Sequence, residues 1–370
     1  MRVLHFFKTY LPDTMGGIEQ VIFQLCESMH PHGVDSEVLT LSANPGSSEL
    51  KVGGHRVHQA KLDLHLASTG FSFSALSRLK ALAAQADIVH YHFPWPFMDM
   101  LHFAASIDKP YVVSYHSDIV RQKWLLHLYR PLMLRFLAKA NRIVAASPNY
   151  LESSEVLTRF RDKVDVITYG LERASYPEPD ALRLQHWAER FGPRFFLFVG
   201  VMRYYKGLHV LLDAAHGTDY PIVIVGSGPL EQELHAQAKR LGLTHLHFIG
   251  RLDEADKVTL LTLCTAMVFP SHLRSEAFGI SLLEAAMFGK PMISCEIGSG
   301  TSYINLHGET GLVVPPADPI ALREAMRTLW DDPQRTADMG LRAAQRYRVF
   351  FTADRMAEQM TKLYEKLLGR

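Results

Sequence analysis

Short apolar runs alternate with helix-patterned stretches along the whole of this 370-residue chain, and the alternation leaves few folds open. Val3–Phe7, Ser36–Leu41, Ile88–His92, Tyr111–Tyr115, Arg142–Ala146 and Val164–Thr168 read as strands in the first half. Phe195–Val199, Ile222–Val225, Leu246–Ile249, Ala266–Phe269 and Met292–Cys295 read as strands in the second. Strands this continuously apolar, separated by helices, belong to parallel sheets covered on both faces. A chain of this length exceeds one ordinary core. The expectation is therefore α/β, with two doubly wound, Rossmann-like domains. Tyr176-Pro177-Glu178-Pro179 breaks the rhythm, so Glu172 to Pro193 is expected as the linker.

Composition closes off several classes of function. Apolar residues at 48% and charged residues at 21% are ordinary for a water-soluble globular chain, and a net charge of +1 gives no bulk attraction to nucleic acid. Cys26, Cys264 and Cys295 are odd in number, far apart and set in apolar segments, which suits buried free thiols in a reducing compartment. The opening Met1-Arg2-Val3-Leu4-His5-Phe6-Phe7 reads as a strand rather than a signal peptide, and no apolar run approaches the ~20 residues of a membrane span. A cytoplasmic protein is expected.

Doubly wound sheets bind ligands at the carboxyl ends of their strands, so the loops there carry the chemistry. The most informative reads Ser271-His272-Leu273-Arg274-Ser275-Glu276-Ala277-Phe278-Gly279-Ile280, followed by a helix to about Phe288 that Gly289 and Pro291 close. The amides of Phe278, Gly279 and Ile280 lie at that helix N-terminus, where unpaired N–H groups and the helix dipole attract an anion. Glu276 precedes them and Glu284 follows about one turn into the helix. An anion cradle between two carboxylates suits a nucleoside diphosphate joined to a sugar. Taken alone, an ordinary βα turn with two solvated glutamates explains the same residues.

Other strand ends add weaker signals. Gly16-Gly17 opens a helix after the first strand, Lys206-Gly207 follows Val199-Gly200, and Gly226-Ser227-Gly228-Pro229 follows another strand. The loops His90-Tyr91-His92-Phe93-Pro94-Trp95 and Ser114-Tyr115-His116-Ser117-Asp118 are rich in histidine, yet the histidines form no compact ligand motif, so no metal is expected. Between Ile119 and Leu151 stand Arg121, Lys123, Arg130, Arg135, Lys139 and Arg142 with no acidic residue, beside the apolar Trp124, Leu125, Leu128, Leu132, Phe136 and Leu137. A core helix with a solvated basic face and a surface for anionic lipid headgroups account for that stretch equally.

Taken in order, the Gly-Gly loop, His116, Lys206-Gly207, the Gly-x-Gly-Pro loop and the Glu-x7-Glu spacing resemble the retaining glycosyltransferases of family 4, which have the GT-B fold of two Rossmann-like domains facing across a cleft. The resemblance covers nearly the full length. Leu4-His5-Phe6-Phe7-Lys8 and Arg203-Tyr204-Tyr205-Lys206-Gly207 look like the bacterial mannosyl- and rhamnosyltransferases of O-antigen and related polysaccharides. It implies an acceptor-side domain over 1–175, joined by a C-terminal helix from 350–370, and a nucleotide-sugar domain over 190–349. The donor, a GDP-linked mannose or rhamnose, would lie between them, mostly on the second, and the acceptor would be a glycan or lipid-linked.

The resemblance also implies roles. His116 and Glu276 would position the sugar, and Glu284 would bind ribose hydroxyls. Lys206, with Arg203 and the Phe278, Gly279 and Ile280 amides, would hold the diphosphate. Gly16, Gly17, Gly226 and Gly228 would let substrate approach the backbone. The family places an arginine directly after the glycine where this chain has Val201, so Arg203 would supply the guanidinium from a different angle. No cofactor is implied. A lipid-linked acceptor would suit contact of 119–142 with anionic lipid at the inner face of the membrane. A UDP-sugar donor, a 2-epimerase of the same fold and a non-catalytic nucleotide-sugar sensor remain as rivals.

Overall fold

The computed structural model describes residues 1–46, 50–66, 69–119 and 123–370, without the side chains of 123–126. The chain forms two compact units, Met1–Leu171 with Thr352–Arg370, and Glu172–Phe351.

The first unit runs β1 (Arg2–Phe6), α1 (Gly17–Met29), β2 (Asp35–Ser42), β3 (Leu50–Val52), β4 (His55–Lys61), β5 (Leu64–Leu66), β6 (Thr69–Phe71), α2 (Ser74–Gln85), β7 (Ile88–Phe93), α3 (Pro96–Ala104), β8 (Tyr111–Tyr115), α4 (Lys123–Lys139), β9 (Arg142–Ala145), α5 (Pro148–Ser153), α6 (Glu155–Arg159) and β10 (Val164–Val166). The second runs α7 (Ala181–Phe191), β11 (Phe196–Val199), α8 (Leu208–Ala215), β12 (Ile222–Val225), α9 (Glu231–Arg240), β13 (Leu246–Gly250), α10 (Glu254–Leu263), β14 (Ala266–Phe269), α11 (Ile280–Met287), β15 (Met292–Cys295), α12 (Thr301–Ile304), β16 (Gly311–Val314), α13 (Pro319–Asp331) and α14 (Pro333–Phe350). The last helix, α15 (Ala353–Leu368), returns to the first unit.

The first sheet has the order β10-β9-β8-β7-β1-β2-β4-β3, parallel except for β3 against β4. The second has the order β13-β12-β11-β14-β15-β16 and is parallel throughout. In each the chain winds outward on one side, then restarts on the other. The switch points lie between β1 and β7 and between β11 and β14, where the loops leave the carboxyl ends in opposite directions and open a crevice for ligands.

Each unit has its own core. In the second, Phe196, Phe198, Ile222, Ile224, Val268 and Ile293 pack against Leu208, Leu211, Leu322 and Met326 from the covering helices. In the first, Val3, Ile88, Val112 and Val144 pack against Leu25 and Met29 of α1 and Met356, Met360 and Tyr364 of α15. Asp318 caps α13 through the amides of Ile320 and Ala321, with Pro319 in its first turn. All three cysteines are buried and free. Among the described residues, no helix is long and apolar enough to cross a membrane.

Several features differ from expectation, among them β16 (Gly311–Val314), a sixth strand in the second sheet. The polar sequence of β4 hides a strand, because it lies near the sheet edge and alternate residues remain half-exposed. The stretch from Glu172, expected as a linker, instead builds part of the second unit. After the prolines, Asp180 caps α7, which buries Trp187 and Phe191, and the Trp187 indole donates to Asp256 Oδ1 at 2.9 Å.

Candidate active site

The second unit brings two of the expected residues, Lys206 and Glu276, together at its switch point. Gly207 ends the loop after β11 at φ +71°, and a Cβ there would lie 2.0 Å from the carbonyl oxygen of Pro270 in the loop after β14. Only glycine permits both the left-handed backbone and so close an approach. The approach brings Lys206 to Glu276: Nζ lies 2.5 Å from Oε2, and each side chain is only 11% exposed. Ser271 donates to the same oxygen at 3.3 Å, leaving Oε1 without a partner among the described residues. The Lys206 ammonium also sits 4.5 Å above the Phe269 ring.

Glu276 leads directly to the N-terminus of α11. Gly279 there has φ +101°, and no side chain caps the helix. The first-turn amides and the positive end of the dipole therefore face whatever ligand enters, beside an ammonium. Glu284 lies farther along α11 and is buried. Its Oε1 accepts from Lys257 Nζ at 2.6 Å and from Tyr176 Oη at 3.1 Å.

Two glycines meet a packing demand beside the substrate approach expected of them. A Cβ on Gly226, at φ +132°, would lie 2.0 Å from the Gly200 carbonyl oxygen, and one on Gly228 would lie 2.6 Å from that of Met202. Close packing of the loops after β11 and β12 thus requires both, whether or not a ligand touches them. Arg203 begins the 3-10 turn Tyr204–Lys206 with its side chain exposed and, among the described residues, unpaired. Val201 beside it is exposed as well.

In the first unit, Gly16 precedes α1 and Gly17 begins it. Glu19 folds back over this end, where a Cβ on Gly16 would lie 2.7 Å from its Oε2, and Thr14 donates to its Oε1 at 3.3 Å. His116 is buried with both ring nitrogens engaged: Nε2 pairs with His92 Nδ1 at 2.9 Å, and Nδ1 with Tyr169 Oη at 2.5 Å. His92 Nε2 continues to His5 Nδ1 at 3.0 Å. Contact between His116 and a sugar hydroxyl therefore requires one of these bonds to open.

The histidines converge after all, since parallel pairing sets His5 opposite His90 and ligand atoms of His5, His90 and His92 lie within 4.8 Å of one another. Two nitrogens on one tetrahedral zinc would be about 3.3 Å apart, given ~2.05 Å bonds. The His5–His92 contact is shorter, and His90 is engaged by Tyr364 Oη at 2.5 Å and Ser114 Oγ at 2.8 Å, so as placed these rings share protons with one another and with hydroxyls. Burial lowers the pKa of His5 and of His116 to about 3, and burial with neighbouring imidazoles holds His90 and His92 well below the usual value. All four are neutral near pH 7.

The basic stretch divides. Arg121 and the side chains of Lys123, Trp124 and Leu125 lie outside the described residues. Phe136 and Leu137 are core, and Arg142 is paired with Asp165 at 2.5 Å. Leu128, Arg130, Arg135 and Lys139 are exposed.

Reading the sequence missed Tyr176, Lys257, Tyr169 and the role of His5. Tyr176 lay hidden in the presumed linker, Lys257 looks like any charged helix residue, and the His5 contacts depend on strand register.

Residues 184–346 match the family described as Glycosyl transferases group 1, and residues 15–174 match Glycosyltransferase Family 4. The chain is 66% identical over 353 residues to D-rhamnosyltransferase WbpZ of Pseudomonas aeruginosa, across 95% of this chain and 93% of that protein. It is 50% identical over 368 residues to O-antigen chain mannosyltransferase C of Escherichia coli, across 100% of this chain and 99% of that protein. In fold it is similar to sucrose-phosphate synthase of Thermosynechococcus elongatus, with TM-score 0.83, 20% identity and coverage of 100% of this chain and 99% of that one. Anabaena HepE, solved in complex with UDP and glucose, has TM-score 0.79 at 19% identity, covering 98% of each chain. The fold is GT-B, built from two Rossmann-like units with parallel sheets.

Proposed function

We propose that this chain, which belongs to the family 4 glycosyltransferases, transfers mannose or rhamnose from a GDP-linked donor to a glycan or lipid-linked acceptor in O-antigen-type polysaccharide assembly. The observation that carries the site assignment is the Lys206–Glu276 pair beside the uncapped N-terminus of α11. An ammonium and a row of amides suit a diphosphate whose negative charge grows as the bond to the sugar breaks. Arg203, exposed on the same loop, adds a guanidinium, and these groups do the work a metal does elsewhere. Glu284 takes the ribose hydroxyls, and Glu276 orients the sugar through Oε1. His116 contacts a sugar hydroxyl by exchanging its bond to Tyr169 or His92. The departing phosphate accepts the acceptor proton on the same face, which retains configuration. The names of the relatives support the sugar and the pathway.

A donor screen tests this: thermal shift with GDP, UDP and ADP, then turnover with the matching nucleotide-sugars and a bacterial lipid-linked acceptor extract. Stabilisation by GDP with transfer from GDP-mannose or GDP-rhamnose is expected. Stabilisation by UDP alone overturns the donor, and epimer or free sugar formed without acceptor overturns transfer.

On the first unit, Leu128, Arg130, Arg135 and Lys139 contact anionic headgroups and hold the enzyme at the inner face of the membrane near a lipid-linked acceptor. Their shared exposure on α4 supports this. Equal co-sedimentation with neutral and anionic vesicles overturns it.

A further inference from the structure

The glutamate assigned to the ribose does not stand alone, and its neighbours come from distant parts of the chain. Lys257 rises from α10 and bridges two carboxylates, with Nζ 2.6 Å from Glu284 Oε1 and 2.7 Å from Glu254 Oε1. Tyr176, buried just beyond the 3-10 turn Arg173–Ser175, gives its hydroxyl to the same Glu284 oxygen at 3.1 Å. The Lys257 ammonium also lies 5.3 Å above the Tyr176 ring, and that ring meets Phe288 at the end of α11 edge-on. Burial works against the ammonium, and the Glu284 and Glu254 carboxylates more than offset it, so the Lys257 pKa stands above the usual lysine value.

We propose that Lys257 and Tyr176 are positioning residues that lock Glu284 through Oε1 and so present Oε2 to the ribose hydroxyls of a nucleoside diphosphate. Both donors converge on one oxygen, and no described residue takes the other. Rotation of the carboxylate breaks two charge-assisted bonds at once, one of them to an ammonium. A preset acceptor loses less freedom when a diol arrives than one that must first be ordered. Lys257 has a second partner in Glu254, so its ammonium stays in place when the site fills and empties.

This inference rests on the nucleotide reading of the site, and the test separates the two. Affinities are measured for the nucleoside diphosphate that passes the donor screen and for its 2′-deoxy counterpart, on the wild type, Lys257→Met and Tyr176→Phe, each checked by circular dichroism. Losing a hydrogen bond to a charged group lowers affinity roughly 10- to 100-fold, so the wild type favours the ribose form by about that factor. Lys257→Met brings the preference to within about threefold of unity, and Tyr176→Phe reduces it in part, because a loose carboxylate grips the 2′-hydroxyl poorly. In turnover, KM for the donor rises more than kcat falls, and Lys257→Arg restores part of the preference. A merely structural role would weaken both ligands equally, so an unchanged ratio in a folded variant overturns the proposal. Should Lys257→Met fail to fold, Tyr176→Phe, which removes a single oxygen, decides by the same ratio. A wild type that binds nucleotide without favouring the ribose form overturns the positioning claim alone, whereas one that binds no nucleotide overturns the functional reading with it.

Discussion

Acid should open the first unit well before it harms ordinary surface contacts. His5, His90, His92 and His116 are buried and neutral, with His5 and His116 lowered to about 3 and the other two held well below 6.5. Burial is the first cause in each case, other imidazoles, His55 among them, add to it, and no carboxylate favours the charged form. The folded pKa lies below the unfolded one, so the unfolded chain binds more protons as pH falls through 6.5, and stability falls with it. Between pH 7.5 and 5 each neutral histidine costs about 2 kcal/mol, from an unfolded pKa near 6.5. Four together approach ~8 kcal/mol, comparable with the ~5–15 kcal/mol that holds a domain folded. Differential scanning calorimetry from pH 7.5 to 5 is expected to show one transition falling steeply. His92→Gln, which removes one titrating ring, should lessen the slope of unfolding free energy against pH by up to about 1.4 kcal/mol per unit. A transition that stays level over this range, or an unchanged slope in His92→Gln, would refute the reasoning.

Other perturbations probe the second unit. Lys206→Ala removes the ammonium beside Glu276 and should lower kcat about 10²–10³-fold, read by steady-state turnover; wild-type turnover would overturn its role. Gly207→Ala drives a methyl into the Pro270 carbonyl at a left-handed φ and should lower the melting temperature of that unit by several degrees, a loss of at least ~1–2 kcal/mol seen by calorimetry. Trp187→Phe loses the bond to Asp256 and should cost about 1 kcal/mol of stability in denaturant titrations with little change in kcat, because α7 supports the unit without entering the candidate site.

What the sequence reveals and what it hides divide along physical lines. The central strands of both sheets are legible because parallel strands buried on both faces must be apolar throughout, as Phe196–Val199 and Ile222–Val225 are. The turn into α11 is legible because Gly279 and the flanking glutamates lie within a few residues of one another. The partners of Glu284 are not, since Lys257 and Tyr176 are 27 and 108 residues away and only the fold brings them together. Gly226 and Gly228 were read for ligand approach, yet a glycine looks the same in sequence whether it admits a substrate or another loop, and here another loop requires them. The histidines mislead for a similar reason. His5 and His90 are neighbours by strand register, which the sequence does not state.

The return of α15 to the first unit sets the order in which a nascent chain becomes whole. The ribosome delivers ~5–20 residues per second, so roughly ten to forty seconds separate the end of β10 and its following loop from the arrival of α15. The second unit, continuous from Glu172 to Phe351, has everything it needs by then. The first must wait, with Leu25, Met29, Val112 and Val144 lacking the Met356, Met360 and Tyr364 that cover them and His90 lacking the Tyr364 hydroxyl. A message cut short before codon 352 would therefore yield a chain that still folds its second half yet displays an open greasy face on its first. Such a product is one for chaperones and proteases to find, and a reason for quality control to act on the earlier half of the chain because of an error in a helix some two hundred residues downstream.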